Sequence, residues 1–110
     1  MIDLYTWTTP NGRKVSIALE ELALEYTAHA IDITQGEQHS QHFLTLSPNA
    51  KIPAIVDHDN GCVMMESGAI LLYLSEKTGQ LMPTDKPRYW EAIQWLMWQM
   101  AGPGPLLGQV

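Results

Sequence analysis

Cysteine is almost missing from this chain. Its 110 residues include one, Cys62, which excludes an internal disulfide framework, a four-cysteine zinc site and a CxxC redox pair. Positive charge is scarce as well. Six Lys and Arg stand against twelve Asp and Glu, a net charge of −6. Nucleic acids and anionic membrane surfaces both call for a basic face, so this balance argues against either as a partner. The longest apolar run, AILLYL (69–74), is far too short for a membrane span. The opening MIDLYTW has neither the basic stretch nor the apolar core of a signal peptide. A glycine-rich phosphate loop or dinucleotide fingerprint is also lacking. A soluble, reducing, cytoplasmic setting is the expectation these absences leave.

Hydrophobic residues make up 45% of the chain, enough for a folded domain with a modest core. IDLYT (2–6) reads as a short strand. After the punctuation of TPNG, the stretch RKVSIALEELALE (13–25) places Val15, Ala18, Leu19 and Leu22 on one face of an amphipathic helix. Asn11 is its expected N-cap. YTAHAID (26–32) reads as a second strand, and a polar loop leads to a short helical stretch stopped by Ser47-Pro48. AIVD (54–57) and CVMME (62–66) flank HDNG, a hairpin signal with Asn-Gly at its tip. SGAILLYLSEKTG (67–79) is a second helix, with Ser67 as expected N-cap and Gly79 as stop.

The order is βαβ, a loop, then ββα. It predicts an α/β fold with a four-stranded mixed sheet and helices on its faces, a thioredoxin-like layout. Residues 1–80 would form this domain and 81–86 a linker. From Pro87 another helix begins, with Ile93, Leu96, Met97 and Met100 as an apolar stripe widened by Trp90, Trp95 and Trp98. Pro103 within AGPGPLLGQ predicts a kink or an early end to it.

Four stretches in order, TPNGRKVSIALEEL, NAKIPAIVD, ESGAILLYLSEKTG and IQWLMWQMAG, resemble the nu class of glutathione transferases. These bacterial and fungal proteins have glutathione-dependent disulfide reductase activity and are related to yeast prion-like regulators. The resemblance covers essentially the whole chain. It implies a glutathione S-transferase or glutathione-dependent disulfide reductase, with glutathione as substrate or co-substrate, no metal, and a homodimer. Residues 87–110 would then be the start of an incomplete all-α C-terminal domain.

The resemblance also assigns roles. It implies a cis Ile52-Pro53 bond that leaves the backbone of Ile52 facing outward, where the cysteinyl unit of glutathione adds as a short strand. Glu66 would meet the γ-glutamyl ammonium, and Ser67, at a helix N-terminus, the γ-glutamyl carboxylate. Gln38 and Lys51 would hold the glycine carboxylate. Thr9, through its backbone N–H or hydroxyl, and Asn11, through its amide NH2, would face the sulfur, with Thr8 and Tyr5 as lesser candidates. Donors aimed at a thiol favour its thiolate.

The same residues have plainer readings. Pro53 suits any strand start, Ser67 and Asn11 suit helix caps, and Lys51 suits a solvated surface. A non-catalytic module for protein interaction or regulation is the competing function. His39 and His42 form an HxxH without a third ligand at metal spacing. His29 and His58 read as strand-edge or turn residues, and Cys62 as a small apolar strand residue. Arg13, Lys14 and Lys51 leave room for a local anion site within an acidic shell.

Overall fold

A computed structural model describes residues 1–108. β1 (Ile2–Thr6), α1 (Pro10–Glu21) and β2 (Tyr26–Ala30) come first. Two short 3-10 turns (Ile33–Gln35 and Glu37–His39), α2 (Gln41–Leu46), β3 (Ala54–Asp57), β4 (Cys62–Met65) and α3 (Ser67–Thr78) follow. α4 (Lys86–Ala101) and α5 (Pro103–Gly108) complete the order. The chain divides into two compact units, one of Met1–Leu74 and one from Ser75 onward.

In the first unit the strands form one sheet in the order β2-β1-β3-β4. β1 pairs parallel with β2 and antiparallel with β3, and β3 pairs antiparallel with β4. This is the mixed thioredoxin-like sheet that the element order predicts. Alternation along β1 sends Ile2 and Leu4 to one face, where they join Val15, Ala18, Leu19 and Leu22 of α1, Ile55 of β3, and Ile70 and Leu74 of α3 in a single core. Each large aliphatic side chain buried there contributes roughly 1.5–3 kcal/mol. On the opposite face α2 packs against β3 and β4, anchored by the fully buried Phe43.

Several local boundaries differ from the sequence expectation. α1 starts at Pro10, and Thr9 rather than Asn11 is its N-cap, because the Thr9 side chain accepts from the Gly12 N–H. Proline at the first helical position loses no hydrogen bond that the helix could make, so the helix extends back past Asn11. It also ends earlier, at Glu21, where Ala23 turns to a positive φ of 53°. Ser67 is the first residue of α3 and not its cap, since the Glu66 carbonyl already accepts from the Ile70 N–H. β2 and β4 stop at Ala30 and Met65, short of residues 32 and 66. Gly79 ends α3 as expected, with φ 68° and its N–H donating to the Ser75 carbonyl.

In the second unit Asp85 caps α4, accepting from the Arg88 N–H at 3.3 Å and pairing with the Arg88 guanidinium at 2.8 Å. The helix breaks at Gly102, and Pro103 opens α5. Trp90, Trp95, Met97 and Trp98 are all exposed on α4. Among the described residues no helix is long and apolar enough to cross a membrane.

Two polar clusters brace the first unit. Asp57 is fully buried and accepts a short hydrogen bond from the Tyr73 hydroxyl, while the Asp59 N–H donates to its other oxygen at 3.0 Å. Burial, followed by that Asp57 contact, pushes the Tyr73 phenol up and keeps it a donor. Replacing Tyr73 by Phe should therefore cost about 2–3 kcal/mol in a denaturant titration, because a buried carboxylate loses a donor without being removed. A loss below about 0.5 kcal/mol would mean water takes over that role.

The second cluster centres on Asp3, whose two carboxylate oxygens meet His29 Nε2 at 2.9 Å and His58 Nε2 at 2.6 Å. These contacts, His58 first, hold the Asp3 carboxyl below its ordinary value. A lowered folded-state value means the contribution is fully present above the ordinary carboxylate range and disappears as pH falls through the lower folded value. Asp3→Asn should cost about 1 kcal/mol at pH 7, given the half-exposed imidazoles. It should also flatten the stability loss below about pH 4, as urea midpoints across pH would show. Parallel wild-type and variant curves would contradict this.

Candidate functional site

Strand register determines which loops meet. β1 runs out at Thr6, beside Ala30 at the end of β2. β3 begins at Ala54 opposite Tyr5, and β4 ends at Met65 opposite Ala54. The loop before α1, the turn before β3 and the entry to α3 therefore all lie at one end of the sheet. Thr9, Asn11, Lys51, Ile52, Pro53, Glu66 and Ser67 are carried there together. Gln38 sits in the second 3-10 turn, on the segment that leaves the same end after the Ile31 N–H donates to the Thr6 carbonyl at 2.8 Å.

The loop before α1 is tightly packed. The Thr9 N–H donates to the Trp7 carbonyl at 2.7 Å, and Thr9 Oγ1 accepts from the Gly12 N–H at 3.2 Å. The backbone donor of Thr9 is thus engaged, and the donor it has to offer is its hydroxyl hydrogen, since capping uses only an oxygen lone pair. Asn11 is exposed at the second helical position, where backbone N–H groups have no partner within the helix. Gly12 explains how the helix comes so close. A Cβ there would lie 2.3 Å from Thr6 Oγ1 and 2.4 Å from the Trp7 carbonyl oxygen.

Ser47 organises the turn before β3. Fully buried, it donates through its hydroxyl to the Lys51 carbonyl at 2.8 Å, and its own carbonyl accepts from the Ala50 N–H at 2.9 Å. The Ile52-Pro53 peptide bond that follows is cis. Among the described residues neither the N–H nor the C=O of Ile52 makes a hydrogen bond. Pro53 is buried and Lys51 exposed.

At the entry to α3, Glu66 is exposed with φ 75° and Ser67 is 2% exposed. A left-handed conformation costs a non-glycine residue about 1 kcal/mol. Gln38 Oε1 is buried without a hydrogen-bond partner among the described residues, which leaves its NH2 as the end available to a ligand.

Other candidates lie elsewhere. Tyr5 is on the sheet face opposite α1, stacked on His29 at 4.8 Å and edge-on to His42 at 6.0 Å. Burial, then the charge of Asp3, pushes its phenol up. Thr8 is exposed on the loop. Among the described residues no group of three His, Cys, Asp or Glu could hold a metal. Gly12 and Ser47 were visible in the sequence only as turn and helix-stop residues; their positioning roles need contacts that no local pattern encodes.

The strand order and the helices packed on the sheet define a thioredoxin-like class of fold. Residues 4–81 match the family model for the glutathione S-transferase N-terminal domain, and the chain belongs to that family. It is 50% identical to the disulfide-bond oxidoreductase YfcG of Escherichia coli, an alignment covering 99% of this chain and 53% of the relative. A glutathione transferase from Pseudomonas putida, solved with one glutathione disulfide per subunit, superposes with a TM-score of 0.95 at 49% identity, covering 98% of this chain and 49% of that one. Another from Burkholderia graminis, with two glutathione molecules per subunit, gives 0.94 at 50% identity, covering 98% and 47%. The chain spans about half the length of these relatives.

The Gly12 contact yields a direct test. Gly12→Ala should lower stability by about 1–3 kcal/mol, because the clash includes a backbone carbonyl that cannot rotate away. Calorimetric melting would show it; an unchanged melting temperature would mean that α1 has slack at its first turn.

Proposed function

We propose that this chain binds glutathione at the open end of β1 and belongs to a glutathione-dependent transferase or disulfide reductase. The unpaired backbone N–H and C=O of Ile52 carry this reading. A buried strand entrance that leaves both groups open suits an extended peptide, and glutathione is one. The relatives solved with glutathione or its disulfide support it.

In this reading the cysteinyl unit pairs with Ile52, beside Pro53. The γ-glutamyl carboxylate meets Ser67 at the start of α3, where helix N–H groups point outward, and its ammonium meets Glu66. A strained backbone with a charged side chain at Glu66 makes sense if that side chain has work that glycine could not do. The Gln38 NH2 and Lys51 take the glycine carboxylate. The Thr9 hydroxyl and the Asn11 amide donate to sulfur, lowering a thiol that otherwise titrates near ~8.5, by about one pKa unit for each 1.4 kcal/mol of preference for the thiolate.

The thiolate then attacks one sulfur of a disulfide. A mixed disulfide forms as the old S–S bond breaks, and the departing thiolate takes a proton from solvent. A second glutathione thiolate resolves the mixed disulfide, so two glutathiones are oxidised to one glutathione disulfide while the substrate is reduced to two thiols. Residues 1–80 are the glutathione-binding domain in this reading, with 87–110 opening a helical one, in a cytoplasmic homodimer.

Titration calorimetry with reduced glutathione tests the site. Binding in the micromolar to low-millimolar range should weaken about tenfold in Ser67→Ala, the loss of one charge-assisted contact. Thr9→Val and Asn11→Ala should leave that affinity nearly intact while raising the pKa of the bound thiol, read by thiolate absorbance. A folded chain that binds no glutathione would favour the interaction-module reading.

A further inference from the structure

A concavity opens on the β2 side of the loop before α1. It has a volume of about 290 Å3, and its lining includes Trp7, Thr8, Arg13, Ser16, Ala28 and Ala30. Three features give it a chemical character. Trp7 and the small, apolar Ala28 and Ala30 contribute to its lining. Its described lining holds no carboxylate, in a chain where acids outnumber bases two to one. Its one cation, Arg13, is exposed and makes no ion pair among the described residues, whereas Arg88 is paired with Asp85. The Ser16 hydroxyl is turned inward, donating to the Gly12 carbonyl at 3.3 Å, so the guanidinium is the dominant donor.

A planar guanidinium in a recess lined also by small apolar residues selects a small molecule with a carboxylate at one end and an uncharged body. We propose that this recess is an acceptor subsite in which Arg13 holds the carboxylate of a small organic disulfide and so determines charge specificity. Thr8 and Arg13 bracket Thr9 and Asn11 in the chain, so the recess adjoins the loop that the glutathione reading places at the sulfur. The acceptor role rests on the glutathione reading; the binding site does not. Neutral and cationic disulfides gain nothing from Arg13 and are discriminated against.

Suberate provides a clean probe, because two methylenes replace the two sulfurs of dithiodipropionate and nothing can exchange with Cys62. The full chain, labelled with nitrogen-15, is titrated with suberate, with octanediol and with diaminooctane while the Trp7 indole N–H is followed. Suberate should shift that resonance saturably, and the diol and diamine should not. Arg13→Gln, an exposed substitution, should weaken suberate about tenfold, and Ala30→Glu, which puts a carboxylate into the recess, should abolish the shift. An equal response to diaminooctane, or unchanged affinity in Arg13→Gln, overturns the proposal.

A parallel titration with glutathione, read at the Ile52 and Ser67 amides, separates the two readings. Glutathione shifts there with no suberate shift at Trp7 would sink the recess and leave the glutathione site standing. The reverse pattern would remove the glutathione site and with it the acceptor role, leaving Arg13 as a carboxylate-binding residue only.

Discussion

The close approach of α1 to the end of β1 is the contact on which the rest of this end of the molecule depends. It exists because Gly12 has no side chain: a single added carbon would collide with both Thr6 and the Trp7 backbone. With the helix seated there, Thr9 can cap it, and the loop is pinned at Trp7 and Gly12. The same seating places Asn11 on the exposed side of the first turn and leaves the recess beside Arg13. Behind it, Val15, Ala18 and Leu19 complete the core with Ile2 and Leu4, so one helix serves both packing and the site.

Site and scaffold divide the work along the strands. The middle of the sheet is apolar on the α1–α3 face, and polar bracing lies at the Asp57 end of β3 and, through Asp3, on the far face. Asp57 and Tyr73 tie the hairpin to α3, and Asp3 ties β2 to the turn after β3. Two further residues carry cost that their position explains. Glu66 holds a left-handed backbone, and Gln38 buries an oxygen that has no partner among the described residues. Both belong to the loops that converge at the end of β1, which is where strained and unsatisfied groups concentrate in binding proteins.

Much of this was legible in the order of residues. The 3.6-residue period marked α1 and α3, and Val15, Ala18, Leu19 and Leu22 are all buried. The Asn-Gly hairpin and the stop at Gly79 are local chemistry, and both formed where that chemistry places them. Caps were read less well. Asn11 and Ser67 are good cap residues, yet Thr9 took the first cap and the helix start overran Ser67. Cap residues are interchangeable in isolation, so the choice between neighbours depends on where the chain enters the helix, which packing sets. Of the HxxH pair, His42 lies edge-on to the Tyr5 ring, a contact between residues far apart in the chain.

By itself the sequence determined the element types and the faces that would be buried, because periodicity and turn chemistry act over a few residues, and four motifs in order carried the resemblance to the family. Only the tertiary structure decided which strand ends meet, that the Ile52 backbone stays open among the described residues, that Thr9 has its hydroxyl and not its N–H to offer, and that Arg13 lines a recess whose described lining holds no carboxylate. Those facts depend on register and on contacts between residues far apart in the chain, such as Tyr5 with Ala54 and Ala54 with Met65, which no local pattern can encode.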